Sequence, residues 1–324
     1  MRAVRCETYG PVSTVLMRDV PDVSPGPGEV VVAVAAAGVN FPDVLTIADK
    51  YQVSTPLPFT PGSEFAGRVS ALGEGVTGLS VGEEVMGSAI AGAFAEQVVA
   101  PAASLSPVPA GLDMVHAAAF RVAYATAYHS LVTFGGLEPD QWVVVLGAAG
   151  GVGTAAVDIA ARMGARVVAA ASSAERLAVC ARLGAAAGVD YSCEDLKLRV
   201  KEITGTGADL VIDPVGGRYS EQALRAIRWG GCFVCVGFAA GDIPRIPLNL
   251  VLLKNVVVRG MEIRSLQANL PHAVKAAERD LAALVADGMR PMVSQVFDLT
   301  DTATALSRVA DRQATGKIVI RISD

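Results

Sequence analysis

The sequence predicts an α/β protein built from a β-rich part and a doubly wound parallel sheet, and three observations carry that prediction. The first hundred residues read as strands cut by turns, with Pro25-Gly26-Pro27-Gly28 ahead of Glu29 to Asn40, and Gly73, Gly75, Gly78 and Gly82 following Val69. From Asp113 onward the pattern changes, and strands alternate with helices as a parallel sheet covered on both faces requires. Hydrophobic residues make up 52% of the 324 and aromatics only 5%, so Ala and Val must fill most of the core.

In chain order, the N-terminal part predicts a compact, barrel-like all-β unit, and the Ala-rich stretch Asp113 to Leu131 predicts helix. The clearest strand, Trp142 to Leu146, runs into a glycine turn, a helix from Gly151 to Met163 and a strand at Arg166 to Ala170. A helix at Ala174 to Leu183, a strand at Gly188 to Asp190, a helix at Leu196 to Thr204 and strands at Asp209 to Asp213, Cys232 to Gly237 and Val256 to Gly260 complete that domain. Leu270 to Ala286 again predicts helix, and strands at Val296 and at Lys317 to Ile320 return the chain to the first domain. The expected domains are therefore 1–119 with 261–324, and 120–260.

A formal net charge of −5 with no basic run gives nothing to attract nucleic acid or an anionic membrane. Apolar stretches such as Val30 to Val39 are too short to span a bilayer, and Met1 to Cys6 lacks a secretion-signal pattern, so a cytoplasmic protein is expected. The five cysteines, at 6, 180, 193, 232 and 235, are scattered, which predicts free thiols. Cys232 and Cys235 have the spacing of a redox or zinc pair, but residues three apart on a strand face opposite ways, which favours a core role.

Gly147-Ala148-Ala149-Gly150-Gly151-Val152-Gly153 sits between a predicted strand and a predicted helix, the context in which such a turn receives a dinucleotide pyrophosphate. Gly150 allows close backbone approach, Gly153 allows the helix to pack against the strand, and the helix N-terminus faces the anion. Ala148 stands where the strict fingerprint has its first Gly. The same turn would also serve as a ligand-free connection. At the end of the second strand, where Asp or Glu would accept from an NAD ribose, stand Ala171, Ser172 and Ser173, with Arg176 nearby. These donors favour NADPH through its 2′-phosphate. Glu175 argues against it, and Ser172 with Glu175 also matches a capping box that needs no cofactor.

At this point the chain resembles the quinone oxidoreductase (zeta-crystallin-like) branch of the medium-chain dehydrogenase/reductases. The resemblance runs through Ala36 to Asp43, Pro61 to Gly67, Gly147 to Gly153, Asp213 to Gly217 and Ala314 to Lys317. It implies a GroES-like β-rich catalytic domain formed by both chain ends, an inserted Rossmann nucleotide-binding domain, an active cleft between them, and a homodimer joined through the Rossmann sheet edges. It also puts Asn40, Thr126 and the backbone of Val236, Gly237 and Phe238 near the nicotinamide, and Tyr191 near the adenosine phosphate. Lys317 matches a basic position close to the cofactor, or is a solvated terminal lysine.

Zinc-dependent alcohol dehydrogenases of the superfamily have Cys near position 38 and Gly-His-Glu where this chain has Gly62-Ser63-Glu64, so the resemblance predicts a site without metal. His116, His129 and His272 lack ligand spacing and read as surface or core residues. Without a Lewis acid, a quinone or a conjugated enone or alkenal is the expected small-molecule acceptor. By the resemblance, Asn40, Asp43 and Tyr51 line its pocket: Asn40 hydrogen-bonding the acceptor oxygen or the cofactor ribose, Tyr51 as a donor or stacking ring, and Asp43 either in proton transfer or as a turn cap. Leu45 replaces a tyrosine of relatives, and the segment after Gly260 departs from them, so it is expected to shape the substrate mouth or a dimer contact. Two alternatives stay open: an enoyl-thioester reductase, and a non-catalytic, crystallin-like NADPH-binding protein.

Overall fold

The computed structural model describes residues 1–323, which form two compact units, 1–122 with 285–323, and Ala123–Leu284. The first stretch supplies strands β1 (Arg2–Arg5), β2 (Leu16–Asp19), β3 (Glu29–Val39), β4 (Glu64–Leu72), β5 (Glu84–Ser88), β6 (Gln97–Pro101) and β7 (Leu105–Pro107). Between β3 and β4 the structure adds helix α1 (Phe41–Ile47), which the all-β expectation for this region lacked. Its cause is local: Asn40 is the N-cap, Pro42 lies in the first turn, and Asp43 at N3 accepts from the Asn40 N–H at 2.8 Å. Seven residues are too few to show a period against the neighbouring strands.

The expected helical stretch after Asp113 is broken into α2 (Met114–Ala118), α3 (Arg121–Tyr128) and a wide π-type turn at His129–Phe134. The parallel sheet then follows: β8 (Trp142–Leu146), α4 (Gly151–Arg162), β9 (Arg166–Ala171), α5 (Ala174–Arg182), β10 (Ala187–Asp190), α6 (Leu196–Thr204), β11 (Ala208–Asp213), α7 (Arg218–Ala226), β12 (Ile227–Cys235), α8 (Leu248–Lys254) and β13 (Val257–Gly260). Helices α9 (Ile263–Asn269) and α10 (Pro271–Ala286) precede β14 (Val293–Asp298), α11 (Thr302–Ala310) and β15 (Lys317–Arg321).

In the second unit the strand order is β10-β9-β8-β11-β12-β13, all parallel. The chain reverses its direction of winding between β8 and β11, so a crevice opens at their carboxyl ends, the usual ligand position in such sheets. Val143 to Leu146 are fully buried, as a central parallel strand covered on both faces must be. In the first unit, β14-β15-β3-β4-β5-β7 form one sheet with β6 also on β3. The C-terminal β15 pairs antiparallel with β3, Ile318 opposite Val39 and Ile320 opposite Ala37, which brings residues from the two chain ends together. Val32, Val34, Phe65, Phe94, Ile318 and Ile320 share its core.

The division at Leu284/Val285 lies beyond the expected boundary at residue 260, so α9 and nearly all of α10 group with the parallel-sheet unit. Sequence periodicity marks α10 but not which sheet it covers, and the short α9 lies in the segment after Gly260 where no helix was expected.

Candidate functional site

Two groups of residues, one in each unit, gather the side chains singled out by the sequence. In the first unit the group is a buried polar network around Lys317. Its ammonium donates to Asn40 Oδ1 at 2.6 Å, Glu64 Oε2 at 2.9 Å and the Val39 carbonyl at 3.2 Å. An ammonium has three N–H groups, so all are engaged. Lys317 is 3% exposed, which removes the reading of a solvated terminal lysine. Glu64, fully buried, accepts further from the Asn40 amide at 3.0 Å through Oε2 and from the Val122 N–H at 2.7 Å through Oε1. The Asn40 amide is oriented by these contacts, with its oxygen to Lys317 and its nitrogen to Glu64 and to the Gly38 carbonyl at 3.4 Å. Both amide N–H groups are thereby directed inside the network, which leaves the second lone pair of Oδ1 as the remaining polar function.

Asp43 is buried beside this network. Burial pushes its carboxyl up to about 6, against hydrogen bonds from Ser63 and the Asn40 N–H and the nearby Lys317 charge, which hold it down. Both readings of Asp43 thus have a physical basis: it caps α1, and it is poised to hold or release a proton near neutrality. Tyr51 lies half-buried in the bend after α1, and Leu45 is half-buried on α1 itself.

The positions that carry zinc ligands in metal-dependent enzymes are shaped differently here. A Cβ added to Gly38 would sit 2.3 Å from the Ala118 carbonyl and 2.6 Å from Glu64 Oε2, so the backbone has closed over the space a cysteine would use. Ser63 spends its hydroxyl on Asp43. Among the described residues no group of three or more His, Cys, Asp or Glu could hold a metal ion. His116 pairs with Asp113 at 2.8 Å, buried His129 with Thr133 at 2.9 Å, and His272 is exposed. Cys232 and Cys235 are free and half-buried.

In the second unit the glycine turn occupies the carboxyl end of β8. Gly147 has φ +57°, and the Gly150 N–H closes the turn on the Gly147 carbonyl at 2.9 Å. Gly150 is the N-cap of α4 and has no side chain to cover the first-turn N–H groups of Gly151, Val152 and Gly153, which a helix cannot satisfy internally. A Cβ on Gly153 would lie 2.2 Å from the Gly147 carbonyl, so only glycine permits this helix-to-strand approach. Ala148 and Ala149 are buried, and the Ala148 N–H bonds the Ala170 carbonyl at 3.0 Å.

At the end of β9, Ser172 is exposed and Ser173 caps α5, accepting from the Arg176 N–H at 3.4 Å. The expected cap at Ser172 is thus one residue early, and Glu175 bonds Ser173 instead. Ser172 therefore stands outside the cap: its hydroxyl meets the phenol of Tyr191, which also feels the Arg176 charge. The structure therefore brings Ser172, Arg176 and Tyr191 together at the carboxyl ends of β9 and β10.

After β12, the N–H groups of Val236 and Gly237 both bond the Asp213 carbonyl, at 2.9 and 3.3 Å, so their carbonyls are what they can offer a ligand. Phe238 is exposed, and Thr126 is buried on α3, its carbonyl accepting from Ser130 at 2.7 Å. Glu64 and Asp213 were not singled out as site residues from the sequence. Each lies inside a quoted motif, but neither has a pattern of its own that reports a buried carboxylate.

Known proteins bear on these two groups. Residues 26–110 match the alcohol dehydrogenase GroES-like domain and residues 151–279 the zinc-binding dehydrogenase family. The quinone oxidoreductase-like protein 2 homolog of Nematostella vectensis is 38% identical over 300 residues, 91% of this chain and 82% of that protein. The quinone oxidoreductase of Thermus thermophilus, solved also in complex with NADPH, superposes with a TM-score of 0.87 at 34% identity over 99% of this chain and all of that one. The Escherichia coli quinone oxidoreductase complexed with NADPH gives a TM-score of 0.92 at 26% identity, again over 99% of this chain and all of that one.

Proposed function

The chain belongs to the medium-chain dehydrogenase/reductase superfamily, in its quinone oxidoreductase-like branch, and from that premise we propose that it is an NADPH-dependent reductase of quinones or conjugated enones and alkenals that works without a metal ion. The observation that carries this reading is the grouping of Ser172, Arg176 and Tyr191 at the strand ends beside the glycine turn. With no carboxylate at the end of β9, a 2′-phosphate meets donors rather than a like charge. The α4 N-terminus fits the pyrophosphate, and the carbonyls of Val236 and Gly237 fit an amide donor such as a carboxamide.

When bound, NADPH supplies a hydride from its nicotinamide C4. The chain's own task is to orient and to keep water out. An acceptor that takes hydride at a conjugated carbon spreads the resulting charge to an enolate or quinol oxygen, which a weak donor can protonate without a Lewis acid. The Asn40 carboxamide is too fully engaged to donate to the acceptor, so we assign it, with Lys317 and Glu64, to positioning. Tyr51, and Asp43 acting through Ser63, are the groups we assign to proton supply. In this reading the protein is a homodimer. The edge strand β13 exposes all four of its residues, and Leu248 and Leu252 on α8 are 78% and 80% exposed, so a second copy pairing along β13 would cover an otherwise open sheet edge.

The test is NADPH oxidation with a benzoquinone, phenanthrenequinone, hexenal and crotonyl-CoA as acceptors, NADH in parallel, before and after chelation. Turnover of quinone or alkenal with NADPH preferred and chelation without effect supports the proposal. Turnover of the thioester alone, or cofactor binding with no turnover, moves the function to one of the two alternatives.

A further inference from the structure

Two residues of the second unit that no motif singled out extend the phosphate-binding group. Arg218 and Tyr219 open α7 immediately after Gly216 and Gly217, whose φ angles of +72° and +62° suit glycine. Asp213 locks this turn, with Oδ1 accepting from the N–H groups of Val215 and Gly216 at 2.8 Å each and Oδ2 from the Ser220 hydroxyl at 2.5 Å. The start of α7 is therefore fixed in place. The Tyr219 ring meets that of Tyr191 with centroids 4.3 Å apart, and the Arg218 guanidinium lies 4.8 Å from the Tyr219 centroid while donating to its phenol oxygen at 2.8 Å. Tyr191 in turn holds Ser172 and faces Arg176. A continuous row of contacts thus runs from the end of β9, through the end of β10, to the start of α7.

Arg218 is exposed, and among the described residues no carboxylate lies within ion-pair distance of it. A guanidinium has five N–H donors, and only the bond to Tyr219 is accounted for. Stacking on the ring restricts its rotamers before any ligand arrives, which lowers the ordering cost of binding.

We propose that Arg218 is a second cation of the subsite for the 2′-phosphate of the adenosine moiety, with Tyr219 as the shelf that aims it. This rests on the NADPH reading above and names a further specificity residue within it. A phosphomonoester carries about −1.5 to −2 charges at neutral pH, more than Arg176 alone would balance. Arg176, near Tyr191, and Arg218, on the Tyr219 ring, would supply two.

The experiment is a calorimetric titration of the full chain with 2′,5′-ADP and with 5′-AMP, for wild type, Arg218→Ala, Arg218→Gln and Arg176→Ala, with thermal melting as a check of folding. The proposal expects both Arg218 variants to weaken 2′,5′-ADP by roughly tenfold or more and to leave 5′-AMP nearly unchanged. Unchanged 2′,5′-ADP binding in these variants, with Arg176→Ala impaired, overturns the assignment while NADPH selection by Arg176 stands. Equal loss for both ligands overturns it too, because Arg218 would then serve the nucleoside and not its phosphate. A wild type that binds the two ligands alike, unaffected by Arg176→Ala, removes the NADPH reading itself.

Discussion

Lys317 and Glu64, 253 residues apart in the chain, form a buried ion pair of 2.9 Å that clamps the Asn40 carboxamide between them. The pairing of β15 with β3 makes the contact, since Ile318 lies opposite Val39. A buried pair of this kind is costly to break from one side only, because the remaining carboxylate keeps only neutral N–H donors and no opposite charge. Lys317→Met should therefore destabilise the protein by about 3–5 kcal/mol. The double variant with Glu64→Leu should recover only part of that loss, because it leaves the Val122 N–H and the Asn40 amide without their acceptor. Denaturant unfolding measures both, and a near-neutral single variant would show that the pair holds nothing in place.

Asp43 gives the network a pH dependence. Its carboxyl, ordinarily at 3.8, is pushed to about 6 by burial, so the folded chain keeps a proton that the unfolded chain has released between those values. The resulting stabilisation is full below the unfolded value and is lost as pH rises through about 6. Asp43→Asn cannot ionise but can still accept from the Asn40 N–H. Its stability relative to wild type should rise by roughly 2 kcal/mol from pH 4 to pH 7. Melting curves at the two pH values give the comparison, and a pH-independent difference would mean that Asp43 titrates normally.

In the proposed NADPH reading, Arg176 separates the two dinucleotides. Arg176→Ala should weaken NADPH by roughly tenfold or more through loss of a charge-assisted hydrogen bond and change NADH little. Fluorescence titration with each cofactor decides it; equal weakening would remove Arg176 from the 2′-phosphate.

The sheet edge is open to direct test. Val258→Lys, on exposed β13, places a charge in the proposed strand-to-strand contact, and Leu252→Glu does the same on α8. Either variant should shift sedimentation velocity from dimer to monomer while leaving the melting of the folded chain cooperative. A wild type that sediments as a monomer, or variants that remain dimeric, would place any self-association elsewhere.

Local chemistry made the fold class legible in the sequence. The strand Trp142–Leu146, the glycine turn and the helix α6 at Leu196–Thr204 lie where period, caps and turn residues placed them, because those signals act within a few residues. Helices α1 and α9 are seven residues each, too short to show a period, and α10 is legible as helix with no sign of the unit it joins. The sequence likewise offers Ser172, Ser173 and Arg176 as one phosphate site, and the resemblance adds Asn40, Asp43 and Tyr191 without the contacts that join them. Tertiary structure alone decided that Lys317 spends all three of its N–H groups on Val39, Asn40 and Glu64, and that Tyr219 carries Arg218 to Tyr191. Burial and long-range pairing settle such contacts. Strand order and the crossings between strands bring together residues whose separation along the chain carries no trace of their neighbours.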